Sequence, residues 1–352
     1  MAIQPSQQSL PSRLTGKSSD SEKISSLYEP YIGFARDRKL SRALKTMVKG
    51  ISACSHQPDI PDKRRILVVC GESGAGKTRA LIEHIERTKE MQPFIDEDGV
   101  WVDPLLYFKA PSPSTPQKFA YRGLTALGFP VNAATRENRI WDVFQSQLKA
   151  NRKKYVVIDE AQDAIEAANK LELIKIANAI KDLVQMPNWP IVLILIGVAP
   201  LAEFVCRKQL YNRRIVVPFE GVTDDKIDET VGLILERVVV DHAGLRLGKD
   251  LPKDFNRRLS RANDAQIGSI VQMVRGVVEC AWEEQSEVVA LRHFEEVYEA
   301  YSGCVEKENI FTSPDWKTLI PLTALLRDGD LDHVDVRAAT FNTQPQDQRR
   351  RA

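Results

Sequence analysis

Cysteine is scarce in this chain. There are five in 352 residues (Cys54, Cys70, Cys206, Cys280 and Cys304), none of them in a C-x-x-C pair, and the odd number leaves one over. The pattern excludes a disulfide-stapled framework and a cysteine zinc site, and describes reduced thiols in a cytoplasmic protein. Histidine is equally scarce and dispersed, with no H-E-x-x-H, so the sequence offers no metal-binding cluster. Neither sign of charge dominates: 49 Lys and Arg stand against 48 Asp and Glu, for a net charge of +1. Any contact with nucleic acid must therefore come from a local patch rather than from bulk charge. Long apolar runs are missing too. The longest, "WPIVLILIGVAPLA", is too short to cross a bilayer and reads as a buried strand, so no membrane partner is expected. The opening stretch "MAIQPSQQSLPSRLTGKSSDSEK" is polar and does not read as a signal peptide. What remains, 43% hydrophobic and 28% charged, is ordinary for a globular chain with room for one large domain or two smaller ones.

Composition and periodicity divide the chain into five parts. Residues 1–22 are rich in Ser, Gln and Pro and are expected to be disordered. Residues 23–60 form a helical lead-in, with apolar residues at helical spacing in "LSRALKTMVKGISA". Residues 61–220 alternate strand and helix. The strands "ILVVC", "VWVDPLLYFKA", "KKYVVIDEA", "IVLILIG" and "RRIVVPFE" are nearly all apolar, which predicts an α/β core with a parallel sheet covered on both faces. Residues 221–305 carry helical periodicity with no strand signal, a small all-helical subdomain. Residues 306–352 are an extension with the amphipathic segment "DWKTLIPLTALLRD", expected either to dock on that subdomain or to bind a partner, and a tail ending "QRRRA".

The chemistry concentrates in two stretches. "GESGAGKT", Gly71 to Thr78, satisfies G-x-x-x-x-G-K-[ST] between an apolar strand and an amphipathic helix. Gly71, Glu72, Ser73, Gly74, Ala75 and Gly76 form a loop whose backbone N–H groups turn toward phosphate oxygens, and the helix that follows adds its positive end. Lys77 reaches the outer phosphates and Thr78 ligates magnesium. In "YVVIDEAQD" a buried strand delivers Asp159 to its carboxyl end, where ligands bind in open α/β sheets. Asp159 supports the magnesium and Glu160 is placed to polarise an attacking water. Together these predict a nucleoside triphosphatase using ATP and Mg2+. Many ATPases with a helical lid carry a polar residue after the fourth strand that contacts the γ-phosphate. Here the positions are Gly197 and Val198, neither able to do so. Arg213 and Arg214 stand just before the last core strand, from where an arginine can project into a neighbouring subunit's site.

The order of these motifs resembles the AAA+ ATPases, and within them the TniB/TnsC/MuB type of transposition regulators. The resemblance spans about residues 31–301 and is carried by "YIGFARDRKLSRALKTMV", "ILVVCGESGAGKT", "YVVIDEAQD", "ILIGVAPLA", "QLYNRRIVVPFE" and "AQIGSIVQMVRGVVECAWEEQSEVVALRHFEEVYE". It implies a P-loop AAA+ core followed by a helical lid, with Lys77 and Thr78 on phosphate and magnesium and Asp159 and Glu160 as the metal and catalytic carboxylates. It also implies Arg213, or its rival Arg214, as the arginine finger in trans. Relatives often have Gly-Thr where this chain has Gly197-Val198, and an arginine where it has Ser269, with Arg275 as a candidate replacement. Both departures imply slow or partner-dependent hydrolysis. Such proteins bind duplex DNA as ATP-dependent homo-oligomeric rings or filaments and recruit a DDE transposase. The DNA would be held after the second strand, by Lys109, Lys118 and Arg122 among Ser112, Ser114 and Thr115. Two other readings compete. "DEAQ" also occurs in helicases, but a helicase needs a second strand-rich domain that residues 220–300 do not supply. An AAA+ signalling or secretion-linked switch acting on a protein is the other.

Overall fold

The computed structural model describes residues 19–56, 64–112, 115–130, 137–166, 168–186 and 188–321. The chain forms two compact units. Of the described residues, one unit takes those within 28–222 together with 266–269, and the other takes 19–27, 223–265 and 270–321. Helices α1 (Ser19–Tyr28) and α2 (Asp37–His56) precede β1 (Ile66–Gly71), so α1 begins inside the segment expected to be disordered, whose first 18 residues lie outside the described ones. After β1 come α3 (Lys77–Glu86), β2 (Phe94–Ile95), β3 (Trp101–Val102), β4 (Leu105–Lys109), α4 (Pro116–Ala126) and α5 (Glu137–Ala150). The unit continues through β5 (Tyr155–Asp159), α6 (Lys170–Val184), β6 (Val192–Gly197), α7 (Ala199–Phe204) and α8 (Lys208–Tyr211) to β7 (Arg214–Phe219).

Five of these strands form a parallel sheet in the order β4-β5-β6-β1-β7. Because successive strand side chains point to opposite faces, each apolar strand divides its residues between two cores. Ile66, Val68, Val156, Ile158, Leu193 and Leu195 pack beneath α4, α5 and α6 with Phe119, Phe144 and Ile180. Leu67, Val69, Val157, Ile194 and Val217 pack on the other face with Leu40, Leu44 and Met47 of α2 and Leu81 of α3. A sheet buried on both faces explains the unbroken apolar strands.

One predicted strand is two. "VWVDPLLYFKA" divides at Asp103-Pro104: Trp101–Val102 pairs antiparallel with Phe94–Ile95, and Leu105–Lys109 enters the sheet beside β5. Pro104 has no N–H to continue a ladder, and Asp103 accepts the Leu105 N–H at 3.0 Å, turning the chain at that point.

The second unit contains α9 (Ile227–Leu235), which runs into a π-helical stretch at Glu236–His242. After it come β8 (Arg246–Leu247), α10 (Phe255–Ala262), α11 (Ile267–Glu283), β9 (Val288–Val289) and α12 (Leu291–Ser302). The first turn of α11 belongs to the sheet-bearing unit. The subdomain is helical as expected, except that β8 and β9 form a two-residue parallel pair, too short to leave a period in the sequence. Phe255, Phe294 and Phe311 meet with centroids 4.7–5.8 Å apart. Phe311 comes from the extension, which docks on this unit. Arg258 donates to the carbonyls of Ile310, Phe311 and Ser313 at 2.8, 3.2 and 2.9 Å, and Trp316 is buried. The rest of "DWKTLIPLTALLRD" beyond Pro321, and the basic tail, lie outside the described residues. Among the described residues no helix is long and apolar enough to cross a membrane.

Candidate active site

The loop from Gly71 to Thr78 leaves the carboxyl end of β1 and enters α3. Gly74 and Gly76 hold φ angles of 73° and 81°, the left-handed region that glycine adopts without steric cost. Between them Ala75 is fully buried and anchors the loop. Glu72 and Ser73 are exposed on its outer side. Lys77 lies along the loop, its Nζ donating to the carbonyls of Gly71 at 2.9 Å and Glu72 at 2.8 Å. Burial lowers its ammonium pKa, and the Glu160 charge partly offsets this.

The carboxyl end of β5 closes the site. Asp159 is buried and accepts from the Thr78 hydroxyl at 3.1 and 3.2 Å, from the Tyr107 hydroxyl at 2.5 Å and from the Glu160 N–H at 2.9 Å. Both of its oxygens are therefore fixed. Tyr107 comes from β4, two residues before Lys109, which pairs in register with Asp159. Burial, then the bond to Asp159, raises the Tyr107 pKa well above its ordinary value. Glu160 is exposed and sits at φ 51°, ψ 41°, a left-handed conformation uncommon for a side-chain-bearing residue and often found where function constrains the backbone. The structure thus brings Lys77, Thr78, Asp159 and Glu160 to one place, as the two motifs required.

Two further contributors meet the loop, and the first of them was not assigned from the sequence. Arg36, in the turn before α2, donates from Nη2 to the Ala75 carbonyl at 2.6 Å, and its guanidinium lies over the Phe219 ring at 4.4 Å. Its Nε and Nη1 are buried with no hydrogen-bond partner among the described residues, and burial lowers its pKa. The lead-in "YIGFARDRKL" held this residue, but nothing in its spacing shows that Arg36 reaches a loop 39 positions away. The second is the start of α11. The Ser269 N–H donates to the Gly74 carbonyl at 2.9 Å, so the position expected to carry an arginine carries a short hydroxyl packed on the phosphate loop. Arg275 belongs to the other unit, where it helps hold the His242 pKa down, behind the larger effect of burial.

Arg213 and Arg214 do not join this cluster. Parallel register sets Arg214 beside Ile66 and Phe219 beside Gly71. The pair therefore lies a strand's length, about 17 Å at ~3.3 Å per residue, from the end of β1 that carries the loop. Arg213 donates to the Gln209 carbonyl at 2.7 Å, and Arg214 stacks over Tyr211 at 4.8 Å. Lys109 is exposed at the end of β4, and Lys118 and Arg122 are exposed one turn apart on α4. The Thr115 hydroxyl caps α4 by accepting the Lys118 N–H at 3.2 Å, and Ser114 lies outside the described residues. A second cationic surface runs along α2. Arg38, Arg42, Lys45 and Lys49 line a groove of about 610 Å³ with Ser41 and His84. Among the described residues none of these four cations is held in an ion pair.

Comparison with known proteins bears on the fold. Residues 60–205 match the family model described as an AAA domain. Three solved structures share the fold over most of the chain at low identity. Cdc6p from Pyrobaculum aerophilum gives a TM-score of 0.57 at 13% identity over 82% of this chain and 74% of its own. The Aeropyrum pernix ORC2 protein, solved as ADPNP-ADP complexes, gives 0.52 at 11% over 80% and 72%. The Aeropyrum pernix ORC1 protein in complex with DNA gives 0.52 at 16% over 79% and 69%. No curated protein matches the chain. The fold is a P-loop AAA+ fold: a five-stranded parallel sheet flanked by helices, followed by a helical region.

Proposed function

We propose that this protein is an ATP-dependent, DNA-binding regulator of DNA transposition. It would oligomerise on duplex target DNA, recruit or activate a DDE transposase, and be released when ATP is hydrolysed. The observation that carries the ATPase part is the meeting of Thr78 with Asp159 beneath a glycine loop that already holds Lys77. Two hard oxygen donors at that spot suit Mg2+. Thr78 and Asp159 would hold the ion, which neutralises charge on the outer phosphates when bound. Lys77 exchanges its two loop carbonyls for phosphate oxygens. Glu160 takes a proton from a water whose oxygen bonds to the terminal phosphorus, while the bond from that phosphorus to the bridging oxygen breaks and ADP departs. Arg213 or Arg214, too far from their own loop, act on the site of the neighbouring copy. Assembly would then be needed to complete each active site, which agrees with the absence of a polar side chain at Val198 and of an arginine at Ser269.

DNA as the partner is supported by two exposed basic sets, Lys109 with Lys118 and Arg122, and the stripe on α2. Several copies, each adding a few phosphate contacts, bind tightly despite a net charge of +1. The transposase rests on the resemblance to the TniB/TnsC/MuB type. A second reading, an AAA+ switch acting on a protein, is favoured by the β2–β3 hairpin. Its Ile95 and Trp101 are each 67% exposed, and Phe94 and Val100 stand out beside them. Phosphate release measured with and without duplex DNA separates the two. Stimulation by DNA supports the first reading, and turnover indifferent to DNA supports the second.

A further inference from the structure

The side chain of Gln162 is buried, yet every polar group on it is engaged. Its Nε2 donates to Glu160 Oε2 at 2.7 Å and to Asp163 Oδ1 at 3.2 Å, and its Oε1 accepts the Val198 N–H at 3.3 Å. The orientation of the amide is fixed by its partners. Turned over, its oxygen would face two carboxylates and its NH2 would face an N–H. The carboxylate assigned as the base is thus tied, through one side chain, to the end of β6. Neighbouring features are built around this link. A Cβ on Gly197 would come within 2.5 Å of the Gln162 oxygen, so the strand ends in a residue that leaves room for the amide. Glu160 is held in the left-handed region immediately before the turn that carries Gln162.

We infer that Gln162 is a positioning residue that couples the orientation of Glu160 to the loop after β6, in the place where Val198 offers no polar side chain of its own. The inference rests on the ATPase reading for its catalytic consequence and on the hydrogen bonds above for the coupling. The exposed side chain of a glutamate has several rotamers, and a base must sit within hydrogen-bond reach of its water. One donor from Gln162, taken up by Oε2, selects among those rotamers and leaves Oε1 of Glu160 unclaimed by the amide. Any movement of the β6 end when the outer phosphate arrives is transmitted to Glu160 by the same amide.

Two variants of the protein test this. Gln162→Leu removes both links. Gln162→Glu keeps the volume and the acceptor for Val198 but sets a carboxylate against Glu160. For each, the affinity for a fluorescent ATP analogue, kcat and KM are measured. Hydrogen exchange of residues 160–163 and 197–201 is followed with and without ATPγS. The expected result is nucleotide affinity and KM within about threefold of the parent, with kcat lower by at least ~10-fold in both variants. In the parent, nucleotide changes exchange in both segments; in the variants, the two segments respond independently. A folded Gln162→Glu protein with parental kcat overturns the inference, as does a parent in which the segments already respond independently. Should the parent hydrolyse no ATP, the ATPase reading fails, and the exchange measurement still decides whether Gln162 couples the two segments.

Discussion

The backbone N–H of Ser269 donates to the carbonyl of Gly74 at 2.9 Å, which ties the first turn of α11 to the middle of the phosphate loop. The approach is close because residue 268 is also glycine. A Cβ there would lie 2.5 Å from the Gly74 oxygen and 2.8 Å from the Gly76 nitrogen. Gly268→Ala must therefore push the loop out of shape. The expected outcome is a loss of nucleotide affinity of at least ~10-fold, with destabilisation of about 1–3 kcal/mol, read by fluorescent-nucleotide titration and thermal melting. Gly232→Ala is the control. It sits in α9 with open space where the methyl would go, and should stabilise by about 0.5–1 kcal/mol.

Lys77→Ala should abolish nucleotide binding and, with it, assembly on DNA. Glu160→Gln keeps the shape of the site but cannot accept a proton. It should assemble normally and fail to release, with turnover down by about 10²–10⁴-fold. Normal turnover in Glu160→Gln would show that the base is assigned to the wrong residue.

Arg36 is the cation least visible in the sequence and among the nearest to the loop. Arg36→Ala removes the hydrogen bond to Ala75 and the stacking on Phe219. The expected effect is weaker ATP-analogue binding by about 10-fold, the value of one charge-assisted hydrogen bond. Arg36→Lys should restore little of it, because an ammonium cannot both stack and reach.

The two basic surfaces make separable predictions. Reversing Arg42 and Lys45 to Glu, or Lys118 and Arg122 to Glu, should weaken duplex DNA binding only for the surface in use. It should also flatten the salt dependence, by about 0.9 in the log–log slope for each phosphate that is no longer neutralised. Fluorescence anisotropy across a salt series reads both quantities. If neither pair changes affinity or slope, DNA is held elsewhere.

Arg258 ties the C-terminal extension to its unit through three backbone carbonyls. Arg258→Met should cost about 3 kcal/mol, visible as a lower Tm, since it strips buried carbonyls of a charged donor.

Much of the core was legible because its chemistry is local. Ile66–Gly71 and Tyr155–Asp159 are apolar strands that end in motif residues, and the loop and helix that follow β1 bring Thr78 to Asp159. The β2–β3 hairpin was not legible, since its two-residue strands are too short to show a period and Pro104 lies inside what reads as one run. Arg36 and Gly268 were missed for a different reason. Each acts on the phosphate loop across a long sequence separation, and their positions follow from how α2 and the start of α11 pack, which neither composition nor spacing encodes. The carboxyl-terminal extension offered two uses on sequence alone; burial of Phe311 and Trp316 assigns its first part to packing.

The central claim, ATP-gated assembly on DNA, is tested most directly by one measurement on the purified protein. Duplex DNA binding and particle size are recorded together with an ATP analogue, with ADP and without nucleotide. Large DNA-bound assemblies with the ATP analogue, absent in the other two conditions, are the predicted result. Nucleotide-bound protein that ignores DNA in all three would contradict it and move the weight to a switch that acts on a protein partner.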